Sequence, residues 1–225
     1  MTWLQNNWPW LVELTRDHLL LSIPAIVASV LIAVPLGRLA YRWPRIGGLL
    51  LSAASLLYAV PALPLLIVIP VIFGVPLRSS ATMIIALTVY GVALLVRTAA
   101  DAFGSVDPTV RQAAVAVGHS PRSVFWRVDL PLAVPVLVAG IRVTTVATIG
   151  LVTIGALIGV SSLGTLLTDG FQRGLTSEVT IGILATVALA LLLDGVVILV
   201  GKALTPWERA HQTAAAPVDP EGVAV

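Results

Sequence analysis

There is no cysteine among the 225 residues, which excludes disulfides, thiol catalysis and thiolate metal sites without identifying a compartment. Charge is scarce: 11% of residues carry it, against about 25% in a soluble domain. No G-x-x-x-x-G-K-[ST] stretch occurs, so any ATP chemistry must belong to another chain. The three histidines, His18, His119 and His211, are dispersed, and no His/Asp/Glu cluster has metal-ligand spacing. Neither a cofactor, a metal nor a catalytic set is therefore expected. The net charge of +2 and pI near 9.5 come from arginines scattered at the ends of apolar runs. Such scatter fits loops facing an anionic membrane surface, not a nucleic-acid patch.

What is abundant is apolar chain, with 58% hydrophobic residues and a mean hydropathy of +1.01. The expected class is an all-α polytopic membrane protein. Leu19–Gly37 holds no charge over 19 residues, about 28 Å as a helix, which matches a hydrocarbon core of about 30 Å. It exceeds a signal-peptide core and lacks an A-x-A-like site, so it reads as retained. Further spans are expected over about 46–74, 79–97, 132–160 and 179–201. The second run, Ile46–Leu77, is too long for one straight span and too short for two with a turn. Pro61, Pro64 and Pro70 predict one bent span with an irregular outer end.

Charge parity selects five spans over six. With the N-terminus outside, Arg38, Arg42, Arg45, Arg97, Arg111, Arg122, Arg127, Lys202 and Arg209 lie on the cytoplasmic side, and only Arg16, Arg78 and Arg173 outside. Splitting the second run would put Arg38–Arg45 and Arg97–Arg127 on opposite faces. Residues 1–18 are then an extracytoplasmic segment, 19–201 the transmembrane domain, 98–131 a cytoplasmic loop and 202–225 a cytoplasmic tail without a core-forming pattern, expected to be disordered. The six tryptophans fall near span ends, as interface anchors do; their scatter argues against a cage for a cationic ligand.

The 98–131 loop carries clear punctuation. Asp107-Pro108 predicts a helix start and Gly118 its left-handed stop; Ser120-Pro121 repeats the start signal, and Leu130-Pro131 leads into the next span. On the first helix Val110, Ala113, Ala114 and Val117 form one small apolar face. By itself the loop reads equally as a capped segment resting on lipid headgroups or as an element that docks into another protein's groove.

Gln112-Ala113-Ala114, three residues, Gly118, nine residues, Val128, one residue, Leu130-Pro131 resembles the EAA loop of ABC-importer permeases: Glu-Ala-Ala, x3, Gly, x9, Ile, x, Leu-Pro. Gln112 replaces the glutamate, removing a charge while keeping hydrogen bonding, and Val128 replaces the isoleucine. The resemblance runs from about Leu19 to Gly201 and is most specific to permeases for glycine betaine, choline and related osmoprotectants. It rests also on "YAVPALPLLIVIP" and on "LPLAVPVLVAGIRVTTVATIGLVTIGALIGVSSLG". Tyr58-Ala59-Val60-Pro61 stands where that group has Gln-Thr-Ile-Pro.

The resemblance implies a type I ABC-importer permease fold in a prokaryotic plasma membrane, with the loop coupling to ATPase subunits and a binding protein delivering substrate from outside. It also implies a second permease, identical or homologous, and a small quaternary-amine osmoprotectant of the glycine betaine, choline, carnitine or proline betaine type as substrate. The alternatives are another small solute, such as methionine or ergothioneine, or a non-transporting scaffold that uses the loop to recruit a partner.

Within the spans, Arg142 and Asp194 are costly in lipid and lie at comparable depth, so a pair is expected, rearranged on opening or static, with separate snorkelling to the interface as the alternative. Gly155-x-x-x-Gly159 can seat a neighbouring helix in this subunit or a second one, or line the path. Tyr58, Pro61 and Pro64 are candidates for pathway or hinge positions.

Overall fold

The computed structural model describes residues 2–207. Eight α-helices, a short helical turn and two irregular turns follow one another, with no strand among the described residues. They are α1 (Thr2–Arg42), α2 (Pro44–Ala59), α3 (Ala62–Phe73), α4 (Ser80–Gly104), α5 (Pro108–Ala116), the short α6 (Pro121–Val124), α7 (Leu130–Val152), α8 (Gly164–Gln172) and α9 (Thr176–Leu204). A π turn over Phe125–Asp129 joins α6 to α7, and a 3-10 turn over Thr153–Ile158 extends α7. Four helices are long and apolar enough to cross a membrane; the α2–α3 pair, bent by 113°, makes a fifth if it is one span.

Helix α1 departs from the expected 19–37. Its 41 residues reach about 61 Å, and residues 2–18 belong to the helix. The reason lies in Leu4, Trp10, Leu11 and Leu14, which pack with Leu163, Leu166, Ile181 and Leu189 of the α8–α9 region. An amphipathic face of that kind supplies the tertiary support a helix extension needs.

The centre of the bundle is the α1–α4 seam. Ala25, Ser29, Ala33 and Gly37 recur every fourth residue along α1, and Ala25, Ser29 and Ala33 have no exposed surface. A Cβ on Gly37 would lie 2.5 Å from the Ala99 methyl and 2.7 Å from the Ala100 nitrogen; one on Gly91 would lie 2.1 Å from Ser29 Oγ. Backbones this close exchange many small dispersion contacts, which is how helices associate where no hydrophobic force acts between them. Gly140 against Thr98 and Leu95, and Gly201 against Val138, bring α7 to α4 and α9 to α7 in the same manner.

The second run breaks at its prolines. Val60 is extended (φ −67°, ψ 128°) and Pro61 caps α3 in the same region, as the residue before a proline must. The carbonyl of Val60 would find its helical donor at residue 64, which is Pro64 and has no N–H. Tyr90 Oη of α4 donates to it instead.

Two connections between spans are themselves helical. The helix opened by Ser120-Pro121 does not end before the fourth span; through the π turn it is continuous with α7, since Val124 is buried and Phe125 and Leu130 pack against the core cluster at Phe103, Ala133 and Leu137. The connection before the fifth span contains α8, whose nine residues are too few and too mixed in polarity for a span. The tail expected to be disordered over 202–225 begins instead as the last turn of α9, which runs to Leu204; the rest of it from 208 onward, with Arg209 and His211, lies outside the described residues.

Candidate functional site

The loop from Ser105 to Pro131 is built from local signals. The Asp107 carboxylate accepts from the Thr109 backbone N–H at 2.8 Å and from the Thr109 hydroxyl at 2.7 Å. The backbone bond first, then the hydroxyl, holds its pKa below the usual carboxylate range. Pro108 fills the first turn, where a missing N–H is harmless. At the far end Gly118 adopts φ +91°, and the N–H of His119 reaches back to Ala114 O at 3.1 Å, closing a Schellman-type stop.

No residue of α5 is buried. Val110, Gln112, Ala113, Val117 and Gly118 are exposed and Ala114 is half-buried, so the small apolar face is open over its whole length. Val128, Leu130 and Pro131 are half-buried and lie in the part of the loop that returns to the bundle, Leu130 against the Phe103 cluster. The pattern therefore divides in two: its first half projects, its second half anchors.

What fixes the projecting half to the bundle is a set of residues that spacing alone did not single out. Asp129, with 7% of its side chain exposed, accepts from Arg111 Nε at 2.6 Å and from Arg38 Nη1 at 3.1 Å. Arg111 also donates to Phe103 O and to Tyr41 Oη, each at 2.6 Å. The Arg38 guanidinium stands 3.9 Å from the Phe125 ring centroid and 5.3 Å from that of Phe103, within cation–π range. The i→i−5 bond from Leu130 N to Phe125 O widens the helix at this point, and the widened turn carries both Phe125 and Asp129 to Arg38. One network thus ties α1, α4, α5 and the start of α7. The available signal was an aspartate beside Leu-Pro in a loop full of arginines; partners 91 and 18 residues away are not readable from one sequence.

Between two spans, Arg142 of α7 and Asp194 of α9 meet fork to fork, Nε to Oδ1 and Nη2 to Oδ2 both at 2.8 Å. The Arg142 side chain remains 43% exposed, so the pair lies at the rim of the bundle. Gly155 and Gly159 separate in role. A Cβ on Gly155 would meet Met83 Cε at 2.9 Å, so it seats α4 within this subunit; Gly159, at φ +82°, turns the chain out of the 3-10 segment. Tyr58 is half exposed at 48% and packs edge-on to Tyr90, with centroids 5.9 Å apart, beside the Pro61–Pro64 break.

Apolar helices long enough to cross a membrane, a broken fifth span and one capped helix with no buried residue define a multi-pass membrane protein. The family model described as "Binding-protein-dependent transport system inner membrane component" matches residues 25–209, and the chain belongs to that family; it is a multi-pass permease subunit of the bacterial plasma membrane. It is 32% identical to the osmoprotectant import permease protein OsmW of Salmonella typhimurium over 91% of this chain and 96% of that protein. With the choline transport system permease protein OpuBB of Bacillus subtilis it shares 29% identity over 90% and 92% of the two chains. Among solved structures, an inward-facing MetNI methionine ABC transporter chain superposes with a TM-score of 0.78 at 21% identity, over 87% of this chain and 97% of that one. At that identity the likeness speaks for the fold.

Proposed function

We propose that this subunit imports a small quaternary-amine osmoprotectant of the glycine betaine, choline or carnitine class, driven by separate ATPase subunits and supplied by an extracytoplasmic binding protein. The observation that carries the reading is the match, over nine-tenths of the chain, to permeases named for osmoprotectant and choline transport. In this reading the N-terminus is outside, the C-terminus cytoplasmic, and α5 faces the cytoplasm. The open face of Val110, Ala113, Ala114 and Val117 suits a groove in an ATPase, because small side chains let a partner backbone approach closely. Gln112 contributes a neutral hydrogen-bonding group there, and Gly118, Val128, Leu130 and Pro131 fix the angle of α5 to the bundle. A second permease, identical or homologous, completes the path. Its surface in this reading includes the Arg142–Asp194 rim, and the Tyr58–Pro61–Pro64 break with the Gly155–Gly159 turn borders the route.

Uptake of radiolabelled choline and glycine betaine in a strain deleted for the transporter tests the substrate class: uptake restored by the wild-type operon and competed by either unlabelled compound supports it. Restored uptake that only methionine or ergothioneine displaces overturns it, and no uptake of any solute points to a scaffold. The Gly118→Val variant tests the coupling role. No atom lies within 4 Å of the new Cβ, so its effect is confined to a left-handed backbone angle that a β-branched residue disfavours by about 1–2 kcal/mol. Normal insertion with loss of ATPase association is expected; unchanged transport removes α5 from the mechanism.

A further inference from the structure

At the end of the bundle opposite α5, a cavity of about 300 Å³ is lined by Asp17, Leu20, Arg78, Ser80, Gly159 and Ser161 among others. Asp17 precedes Arg38 by 21 residues along α1, about 31 Å of helix, so the cavity lies one hydrocarbon thickness from the Arg38–Asp129–Arg111 network. It carries one acid and one base, and among the described residues neither has an ion-pair or hydrogen-bond partner. At the end of α8, Arg173 and Asp169, one helical turn apart, do close on each other at 2.9 Å, which is what opposite charges do when their side chains can reach.

Asp17 and Arg78 are kept apart by what carries them. Asp17 sits on α1 beside His18, which is fully buried and bonded to Ile149 O of α7 at 3.1 Å. The Arg78 stem lies over Gly159, its Cδ 3.6 Å from where a Cβ would stand. The Gly159–Ser162 turn is itself fixed, by Val160 N to Gly155 O at 3.0 Å and Ser162 Oγ to Val152 O at 3.4 Å. The result is a small polar recess with two separated, uncompensated charges of opposite sign, and Leu20 shares its lining.

We infer that the Asp17–Arg78 recess is a transient binding site for a zwitterionic solute, with Asp17 facing its cationic end and Arg78 its carboxylate. A ligand carrying both charges compensates both residues at once, and the Ser80 and Ser161 hydroxyls offer further hydrogen bonds. The Leu20 methyl groups give N-methyl groups an apolar surface. A volume near 300 Å³ suits a small solute rather than a peptide. The site rests on the osmoprotectant reading and on the N-out orientation, which puts it at the mouth where a binding protein releases its cargo. Partial exposure makes it weak, which suits a site that must also let go.

The test is uptake by the whole reconstituted transporter, with binding protein saturated in turn by glycine betaine, which has a carboxylate, and by choline, which has none. Arg78→Gln is expected to lower glycine betaine uptake about fivefold and to leave choline within about twofold; Asp17→Asn is expected to lower both about fivefold. Arg78→Lys, which keeps the charge, is expected to stay within about twofold of wild type for both. An equal fall for the two probes in Arg78→Gln, or no change in either variant, overturns the site, and so does an Arg78→Lys variant as impaired as Arg78→Gln. If the wild-type complex takes up neither probe, the substrate reading itself fails and the site falls with it.

Discussion

Truncating Asp129 is the perturbation whose size the structure defines best. Its carboxylate is shared by Arg111 at 2.6 Å and Arg38 at 3.1 Å, and its side chain is 7% exposed. Asp129→Ala leaves two guanidinium groups facing each other without a counter-charge, and removing one partner of a buried ion pair costs about 3–5 kcal/mol. The two arginines are 19% and 24% exposed, so water reaches them in part and about 3 kcal/mol is the better figure. The bonds lost run from Asp129 to Arg111 and Arg38 and none belongs to the α1–α4 packing, so the loss falls on the seating of α5; Arg111 keeps its bonds to Phe103 O and Tyr41 Oη, which places the cost at the lower end of the range.

A loss of about 3 kcal/mol raises the population of the unseated loop about a hundredfold. Trypsin reads that population directly, because cleavage after Arg111 requires its guanidinium to leave Asp129, and proteolysis tracks the open fraction when reclosing is fast. In lipid nanodiscs, cleavage after Arg111 is expected to accelerate by about two orders of magnitude in Asp129→Ala. It is expected to accelerate by about one order in Asp129→Asn, which keeps an acceptor but no charge. A rate within twofold of wild type in Asp129→Ala would refute the idea that this carboxylate seats the loop.

Gly37→Val is expected to cost more than about 3 kcal/mol, because its Cβ would meet Ala99 and the Ala100 backbone at under 3 Å; loss of folded protein in size-exclusion profiles checks this. Tyr90→Phe leaves the Val60 carbonyl without its donor in an apolar setting, a penalty of about 1–3 kcal/mol, seen as a lower melting temperature with insertion unchanged. Lowering the pH tests the α5 cap. The Asp107 bonds favour the ionised carboxylate, so its pKa is lower folded than unfolded, and the cap's contribution is present above the unfolded value and lost as pH falls through the folded one. Amide exchange at the start of α5, corrected for intrinsic rates, is expected to stay flat from pH 7 to about 5 and to rise below about 4.

The limits of what sequence makes legible are set by distance along the chain. Helix α5 was readable because its start and stop are local: Asp107-Pro108 and Gly118 act on neighbours within four residues. The five apolar runs were readable because hydropathy sums over a window, and the bend of the second follows from Pro61 and Pro64 acting on their own backbone. The α1 extension to Thr2 was missed because its support, Leu163, Leu166 and Leu189, comes from the far end of the chain. The small residues every fourth position from Ala25 to Gly37 were a usable sign of the α1–α4 seam, although their partner helix was not. Asp129 is the instructive case: its neighbours in the chain offered it no partner, whereas the fold gathers Arg111 of its own loop and Arg38 of α1 around its carboxylate.

The widened turn at Phe125–Asp129 also acts as an angular setting. It holds one residue more than an α-helical ladder accommodates. Deleting that residue would let the ladder close and swing everything upstream, α5 included, by about 100° around the axis of α7. The valines and alanines of α5 would then point toward a different part of any subunit seated below. Between Gly118 and Leu130, chain length therefore sets the direction of α5 separately from the side chains that seat it, since a side chain can be exchanged without turning the helix but a residue cannot be removed.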